Sequence, residues 1–353
     1  MNERKSSPRL AVGKLPPELL ARLLARAPVD DDRLLEGPGI GIDCAVVDLD
    51  DYLLVCKTDP VTFATDELGR YLVQVNANDL ATTGAQPRWL MATLLLPENG
   101  ADAALAESLM AQIGEACREL GIALIGGHTE ITYGLDRPIA VGALLGLVEP
   151  TQLVTPRGAR PGDRLLMTKS VPIEATAILA RERPERLRAL LMDGDLTRAQ
   201  QYLENPGIGI TKDARIALQA GRVTAMHDPT EGGLAAALWE LAHASSCILH
   251  FDPALVPVTP LSARVCAALA IDPLAAIASG ALLLTVPAVD AEGVREALCA
   301  EEIPCTDIGE VAEGGPQVLQ RSPNGWAPYP WPERDAMARI FESPTKTRDA
   351  TPG

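Results

Sequence analysis

Apolar residues recur along this chain with two periods, one near two and one near 3.6, and the alternation between them orders the elements. "KLPPELLARLLARAP" predicts a short amphipathic helix with proline at its start. "LLEGPGIGID" is a glycine-rich loop, and "CAVVDL" and "YLLVCKT" are β-type runs joined by the acidic turn "DLDD", a hairpin. "ELGRYLVQVNANDLATTG" is a helix closed by Gly84, and "RWLMATLLLP" is a strand. "ADAALAESLMAQIGEACREL" is a long helix ending at Gly121; "IALIGGHTEI" is a strand running into a loop, and "PIAVGALLGLV" is another strand.

"EPTQLVTPRGARPGD", rich in proline, glycine and arginine, is the best domain boundary. The predicted layout is a flexible arm over 1–12, a first domain over 13–150, a second over 151–320 and an extension over 321–353, disordered from about Ser343. In the second domain "RLLMTKSV", "VTAMH", "CILHFD", "ALLLTV" and "CTDIGEV" read as strands. "IEATAILARERPERLRALLM", "TKDARIALQAG", "LAAALWELAHAS", "LSARVCAALA" and "AEGVREALCAE" read as the helices between them, with βαβ character.

Composition narrows the class. The chain has 353 residues, is 47% hydrophobic but only 3% aromatic, so its core must be aliphatic, which suits layered α/β packing. A formal net charge of -16 repels nucleic acid and anionic lipid, and neither is an expected partner. A phosphate ligand therefore needs a local device, a metal or backbone amides. Seven cysteines without C-x-x-C spacing read as reduced residues. No apolar run is long enough to span a bilayer and the N-terminal stretch lacks an apolar signal core, so the expected location is cytoplasmic.

The candidate chemistry begins in the second helix. Asn76, Asp79 and Thr83 fall on one narrow stripe beside the apolar face of Val73, Ala77, Leu80 and Ala81. The simpler reading is a solvated edge; the functional one is a carboxylate aimed at a metal. Asp43 follows Gly37, Gly39 and Gly41, Asp59 ends the second strand, and Glu130 sits just past "IGGHT". Acids at several junctions of strand and loop point to a divalent-metal cluster that could offset the repulsion of a nucleotide triphosphate. Each acid alone is explained as well by a turn or cap.

No G-x-x-x-x-G-K-[ST] is present, and "GPGIGID" is not a dinucleotide fingerprint. Its glycines, like Gly126 and Gly127, could still bring backbone N–H groups to phosphate or simply make tight turns. In "HDPTEGGLAAALWELA", Asp228, Thr230, Gly232 and Gly233 precede a long helix, which fits an anion at a helix N-terminus or an ordinary cap. His128 and His227 lie inside motifs and could titrate near neutral pH; no His or Cys pair has zinc spacing.

"NANDLATTGAQPRW", "LIGGHTEIT", "VPIEATAILARE", "HDPTEGGLAAALWELA" and "ASGALLLTV", in this order, resemble the AIR synthetase (PurM-like) superfamily. That group includes selenophosphate synthetase, thiamine-monophosphate kinase and the hydrogenase maturation protein HypE, and the likeness is greatest to HypE and AIR synthase-related proteins, over about residues 12–320. It implies an α/β domain that dimerises through its sheets and a C-terminal α+β domain with βαβ units. ATP would lie near the dimer interface, with Mg²⁺ on Asp43, Asp59 and Asp79. Gly39, Gly41, Asn78, Gly126, Gly127, Thr230, Gly232 and Gly233 would contact the nucleotide, and His128, Glu130 and Asp228 would serve the chemistry.

The implied reaction is phosphorylation of a carboxamide or thiocarboxamide oxygen that then leaves as phosphate, a dehydration related to hydrogenase maturation. A carbamoyl-transfer maturation protein would be a partner. The family's C-terminal cysteine has no counterpart in "RDATPG", and His128 and Glu130 stand where "GGDT" or "GDTK" forms place an acid and a lysine. A kinase of the thiamine-monophosphate kinase type and a non-catalytic dimeric scaffold are the alternatives.

Overall fold

The chain folds around two sheets with one helix wedged between them. The coordinates are a computed structural model, and the residues described are 10, 13–62 and 66–341. The expected arm over 1–12, except Leu10, and the expected disorder from about 343 lie outside these residues.

Helix α1 (Pro17–Leu24) precedes the first sheet, made of β1 (Leu34–Glu36), β2 (Ala45–Asp48), β3 (Leu53–Val61), β4 (Gln86–Pro97), β5 (Ala123–Thr132) and β6 (Ile139–Val148). Helix α2 (Leu68–Thr82) joins β3 to β4, and α3 (Ala103–Leu120) joins β4 to β5. The strand order is β1-β2-β3-β6-β4-β5, antiparallel except for the β4–β5 pair. The predicted hairpin is β2–β3, with Ala45 opposite Cys56 and Asp48 opposite Leu53. Helix α3 starts on an Asp102 side-chain cap and stops at Gly121, whose φ of 67° only glycine adopts cheaply.

"GGHTE" is part of β5, where a loop is expected from the sequence. Its positions from Ala123 to Ile131 are all exposed, so no apolar alternation marks them as strand. Gly127 has φ 147°, and a Cβ there would lie 1.8 Å from the carbonyl oxygen of Ala92, so β4 and β5 can pair here only around a glycine.

The second half holds β7 (Asp163–Thr168), α4 (Ile173–Glu182), α5 (Pro184–Arg188), α6 (Asp195–Gln200), α7 (Thr211–Ala220), β8 (Ala225–His227), α8 (Gly233–Ser245) and β9 (Ile248–Phe251). There follow α9 (Pro260–Ala268), β10 (Leu283–Pro287), α10 (Ala291–Ala300), β11 (Cys305–Ala312), β12 (Gln317–Ser322), β13 (Gly325–Pro328) and α11 (Ala338–Phe341). These strands form a sheet in the order β13-β12-β9-β11-β7-β10-β8. Strands β10 and β11 both run antiparallel to β7, which lies between them, so β10-α10-β11 is a split βαβ unit. No helix among the described residues is long and apolar enough to cross a membrane.

Helix α2 is the keystone. Twelve of its 15 residues are buried, because one side lies on β3 and β6 while the other meets α7 and β8 of the second half. Tyr71, Leu72 and Leu80 are fully buried there, each stabilising the packing by about 1.5–3 kcal/mol. The solvated-edge reading of this helix is therefore replaced: Asn76, Asp79 and Thr83 are inside the protein. Polar groups in such a place need partners.

A second buried acid shapes stability. Burial raises the Glu174 carboxyl on α4 from 4.5 to about 7, against the hydrogen bond that one of its oxygens accepts from the Ser279 amide. A carboxyl raised in the folded state binds protons more tightly than in the unfolded chain. The stability that Glu174 contributes is therefore fully present below about pH 4.5 and is lost as pH rises to about 7. The size is about 3 kcal/mol, at about 1.4 kcal/mol per pH unit. Glu174→Gln, followed by urea unfolding from pH 5 to 8, should remove most of this slope and leave the variant the more stable form at pH 8.

Candidate active site

The acids foreseen from the sequence are built by three separate pieces of chain. Strand β3 alternates sides, so Lys57 and Asp59 project to one face. Asp79 comes from α2 seated on that face, and Asp43 from the loop before β2. The structure brings Asp43, Asp59 and Asp79 together around one ammonium: Lys57 Nζ lies 3.0 Å from Asp79, 3.5 Å from Asp59 and 3.8 Å from Asp43. Burial disfavours the Lys57 charge, but Asp79, Asp43 and Asp59 outweigh it and hold the ammonium well above its ordinary pKa. Burial in turn pushes the Asp79 carboxyl well above its usual range, and Asp59 upward, while Lys57 opposes both shifts.

Lys57 was not singled out from the sequence. Its signal was there: on a strand whose inward residues are apolar, a lysine two residues before a functional acid shares that acid's face.

The second half of the chain closes the site. The end of β8 and the turn after it supply His227 and Asp228, 3% and 1% exposed. The His227 ring nitrogen Nε2 lies 3.0 Å from a Glu240 carboxylate oxygen on α8, and the other Glu240 oxygen accepts from Lys14 Nζ at 3.0 Å. Burial alone would raise Glu240, but Lys14 and His227 together push it down to about 2. Burial also disfavours the charged imidazolium of His227, yet Asp228, Glu240 and Asp43 hold its pKa well above the ordinary value.

Glycine fixes this junction. Gly41 has φ 71°, and a Cβ there would sit 2.6 Å from the Glu240 carbonyl oxygen, so the loop carrying Asp43 can rest on α8 only through a glycine. Gly39 is bridged to Ile42 in the same turn. Beside Asp43, burial raises the Cys44 thiol well above its ordinary pKa, so it stays protonated.

Other candidates are placed differently. Asn78 is wholly buried and clamps the two halves: its amide donates to the Ile208 carbonyl and its oxygen accepts from the Ile210 amide, at 2.8 and 2.9 Å. Gly232 and Gly233 start α8 with positive φ, but the Gly232 amide donates to Asp335 of the chain's own C-terminal segment, 2.8 Å away. The Thr230 carbonyl accepts from Gly233. His128 and Glu130 sit on β5, paired at 3.1 Å, with Thr132 donating to Glu130. These two bonds, that from Thr132 first, lower the Glu130 carboxyl. Strands β6 and β4 separate β5 from β3, about 14 Å at the usual strand spacing, so within one chain this pair and its neighbours Gly126 and Gly127 do not join the acids.

Three buried polar atoms in the cluster make no hydrogen bond among the described residues, both Asp228 oxygens and His227 Nδ1, whereas Asp79 Oδ2 is taken up by Lys57 at 3.0 Å. Stranded carboxylate oxygens aimed at one another fit a cation, because each would otherwise be destabilising. The donor set therefore suits a divalent ion, and a polyanionic ligand held through it.

Two halves, each a mostly antiparallel sheet with helices, meet over a cluster of carboxylates and one lysine. The family models place the chain: residues 41–148 match the N-terminal domain of AIR synthase related proteins and residues 160–321 the C-terminal domain, and the chain belongs to this family. Its relatives include a putative hydrogenase expression/formation protein of Methanocaldococcus jannaschii, 28% identical over 74% of this chain and 77% of that protein. The carbamoyl dehydratase HypE of Cupriavidus necator is 28% identical over 74% of this chain and 72% of its own. Among solved structures, HypE in complex with ATP matches with a TM-score of 0.68 at 24% identity, covering 89% of this chain and 95% of that one. A HypE–HypF complex matches at 0.71 and 20% identity, over 89% and 99%. ThiL bound to AMPPCP and TMP matches at 0.68 and 20%, over 90% and 99%.

Proposed function

We propose that this protein is a HypE-like, ATP- and Mg²⁺-dependent enzyme that activates a carboxamide oxygen for removal as phosphate. The observation that carries this is the convergence of Asp43, Asp59 and Asp79 on Lys57 beside Asp228, whose two buried oxygens have no hydrogen-bond partner among the described residues, in a chain similar over most of its length to carbamoyl dehydratases. Bound Mg²⁺ would supply charge neutralisation and a fixed geometry for the triphosphate, and phosphoryl transfer needs little else. Asp43 and Asp228 would hold the ion, with Asp79 and Asp59 on its far side. Lys57 keeps those two acids close together without a second metal and presents an ammonium to phosphate oxygens. In the net reaction an S-bound carboxamide loses its oxygen and both amide protons and becomes a thiocyanate. The oxygen leaves in phosphate while ATP becomes ADP.

The enzyme would act as a homodimer. Strand β5 is the open edge of the first sheet, and it exposes Ile125 and Ile131, with Trp89 and Met91 exposed on β4 beside it. A long apolar edge is a liability unless covered, and a second copy would cover it. A copy packed this way would also carry the His128–Glu130 pair toward the acids of the first. A maturation protein that delivers carbamoyl groups would be a further partner; a solved complex of HypE with HypF is among the structures this fold matches.

The test uses a peptide bearing S-carbamoyl cysteine labelled with ¹⁸O. The expected result is ATP turnover that requires both peptide and Mg²⁺ and releases phosphate carrying one ¹⁸O. Phosphate without label, or phosphate transferred intact to a thiamine phosphate, would count against amide activation and favour a kinase.

A further inference from the structure

Asp43, His227 and Asp228 offer ligand atoms that all lie within 4.8 Å of one another, and two of the three side chains are almost wholly buried. The His227 Nδ1 atom is 3.7 Å from Asp43 and 3.9 Å from Asp228, too long for hydrogen bonds. These are the separations of atoms that share one ion, since ligands at about 2.0–2.2 Å from a metal lie about 3–4 Å apart. The other ring nitrogen is committed to Glu240, which Lys14 holds from behind. A metal-bound histidine is typically oriented in this way, its second nitrogen anchored on a carboxylate so that the first faces the ion. Nδ1 and both Asp228 oxygens make no hydrogen bond among the described residues, so the inner side of this triad is left for a ligand.

We infer that His227 binds the divalent ion directly, through Nδ1, together with Asp43 and Asp228, so that the site prefers a first-row transition ion to Mg²⁺. This rests on the reading of the acids as a metal site and adds the nitrogen ligand. Imidazole suits Fe²⁺, Ni²⁺ and Zn²⁺, whereas Mg²⁺ favours oxygen ligands; Mn²⁺, the weakest binder of the series, serves as the spectroscopic probe. Glu240 and Lys14 act as positioning residues, setting the ring rather than touching the metal. On binding, the Nδ1 proton passes to solvent. Lys57 is left with Asp79 and Asp59, so one resident ion and one lysine share the work of neutralising the four acids.

The experiment is pulsed EPR on the full chain, stripped with chelator and loaded with Mn²⁺ in the absence of nucleotide. The expected spectrum shows one directly coordinated ¹⁴N, which becomes ¹⁵N in protein labelled with ¹⁵N-histidine. In His227→Gln the nitrogen signal should vanish and Mn²⁺ affinity fall by about tenfold or more, while Mg²⁺ affinity hardly changes. The labelled wild type decides the matter even if the variant misfolds. Bound Mn²⁺ with oxygen ligands only overturns the inference, as does a nitrogen signal that survives in His227→Gln or a failure to retain Mn²⁺ at millimolar concentration. Loss of the inference in protein that still turns over ATP with Mg²⁺ leaves amide activation standing. A clear nitrogen signal in protein that binds no ATP keeps the metal site and removes that reading.

Discussion

Lys57→Met is expected to cost about 3–5 kcal/mol of folding stability when no divalent ion is present. The ammonium is the shared partner of Asp79, Asp59 and Asp43, and Asp79 is 3% exposed. Removing it leaves the buried Asp79 without its 3.0 Å partner and facing Asp59 and Asp43, which water screens only in part. The protein has one relief, protonation of Asp79, whose carboxyl burial already pushes well above its usual range. A carboxyl raised in the folded state costs stability as pH rises, so the defect should be larger at pH 8 than at pH 5. Divalent ions should rescue it. A cation bound only by the folded form at a hundred times its Kd restores about 2.7 kcal/mol. Urea midpoints of the variant with chelator, Mg²⁺ and Mn²⁺ at the two pH values test all three statements. A loss under about 1 kcal/mol with no response to metal would mean that the acids do not depend on one another.

Asp228→Asn should lower peptide-dependent release of ¹⁸O-labelled phosphate by about a thousandfold or more. Asp228 is 1% exposed, and neither of its oxygens has a hydrogen-bond partner among the described residues. An acid that served only to cap α8 or hold the turn would have one. The amide keeps the shape and one acceptor but halves the oxygen donors and removes the charge. Folding should survive, because the amide keeps the shape and the cost of burying the carboxylate is removed together with its attraction to the His227 ring 3.9 Å away. That combination, lost turnover with retained urea midpoint, separates a ligand from a structural acid. Equal loss of both would assign Asp228 to the fold instead.

Much of the architecture was legible because it is local. The β2–β3 hairpin, α2 and α3 with their glycine stops, and the βαβ character of the second half follow from periods of two and 3.6 and from turn residues, whereas the insertion of β7 between β10 and β11 does not. Strand β5 was half read: its glycines and polar residues carry the strand only because β4 pairs with it, and its exposed faces leave no periodic trace. The β12–β13 hairpin went unread, because it lies at the sheet edge with mostly exposed or half-buried residues. From it the chain runs on to Asp335, which reaches the start of α8, and to the buried Met337.

The site divides in the same way. Asp43, Asp59 and Asp79 were visible as acids at junctions of regular elements, and the resemblance supplied their common purpose. The Lys57 ammonium among them, and the Lys14–Glu240–His227 chain, join residues up to 226 positions apart. Sequence periodicity carries no information about such pairings. Asn78 shows the converse: a polar residue in a promising motif whose two ends are taken up by the backbone at 208–210.

In the function proposed above, acids from both halves of the chain hold a divalent ion against a triphosphate. Calorimetric titration of the full chain with a non-hydrolysable ATP analogue, with Mg²⁺ or Mn²⁺ and then with chelator, tests it most directly. The expected result is binding that needs the metal and that falls sharply in Asp43→Asn. Binding of equal strength in chelator, or no binding with either ion, would contradict it.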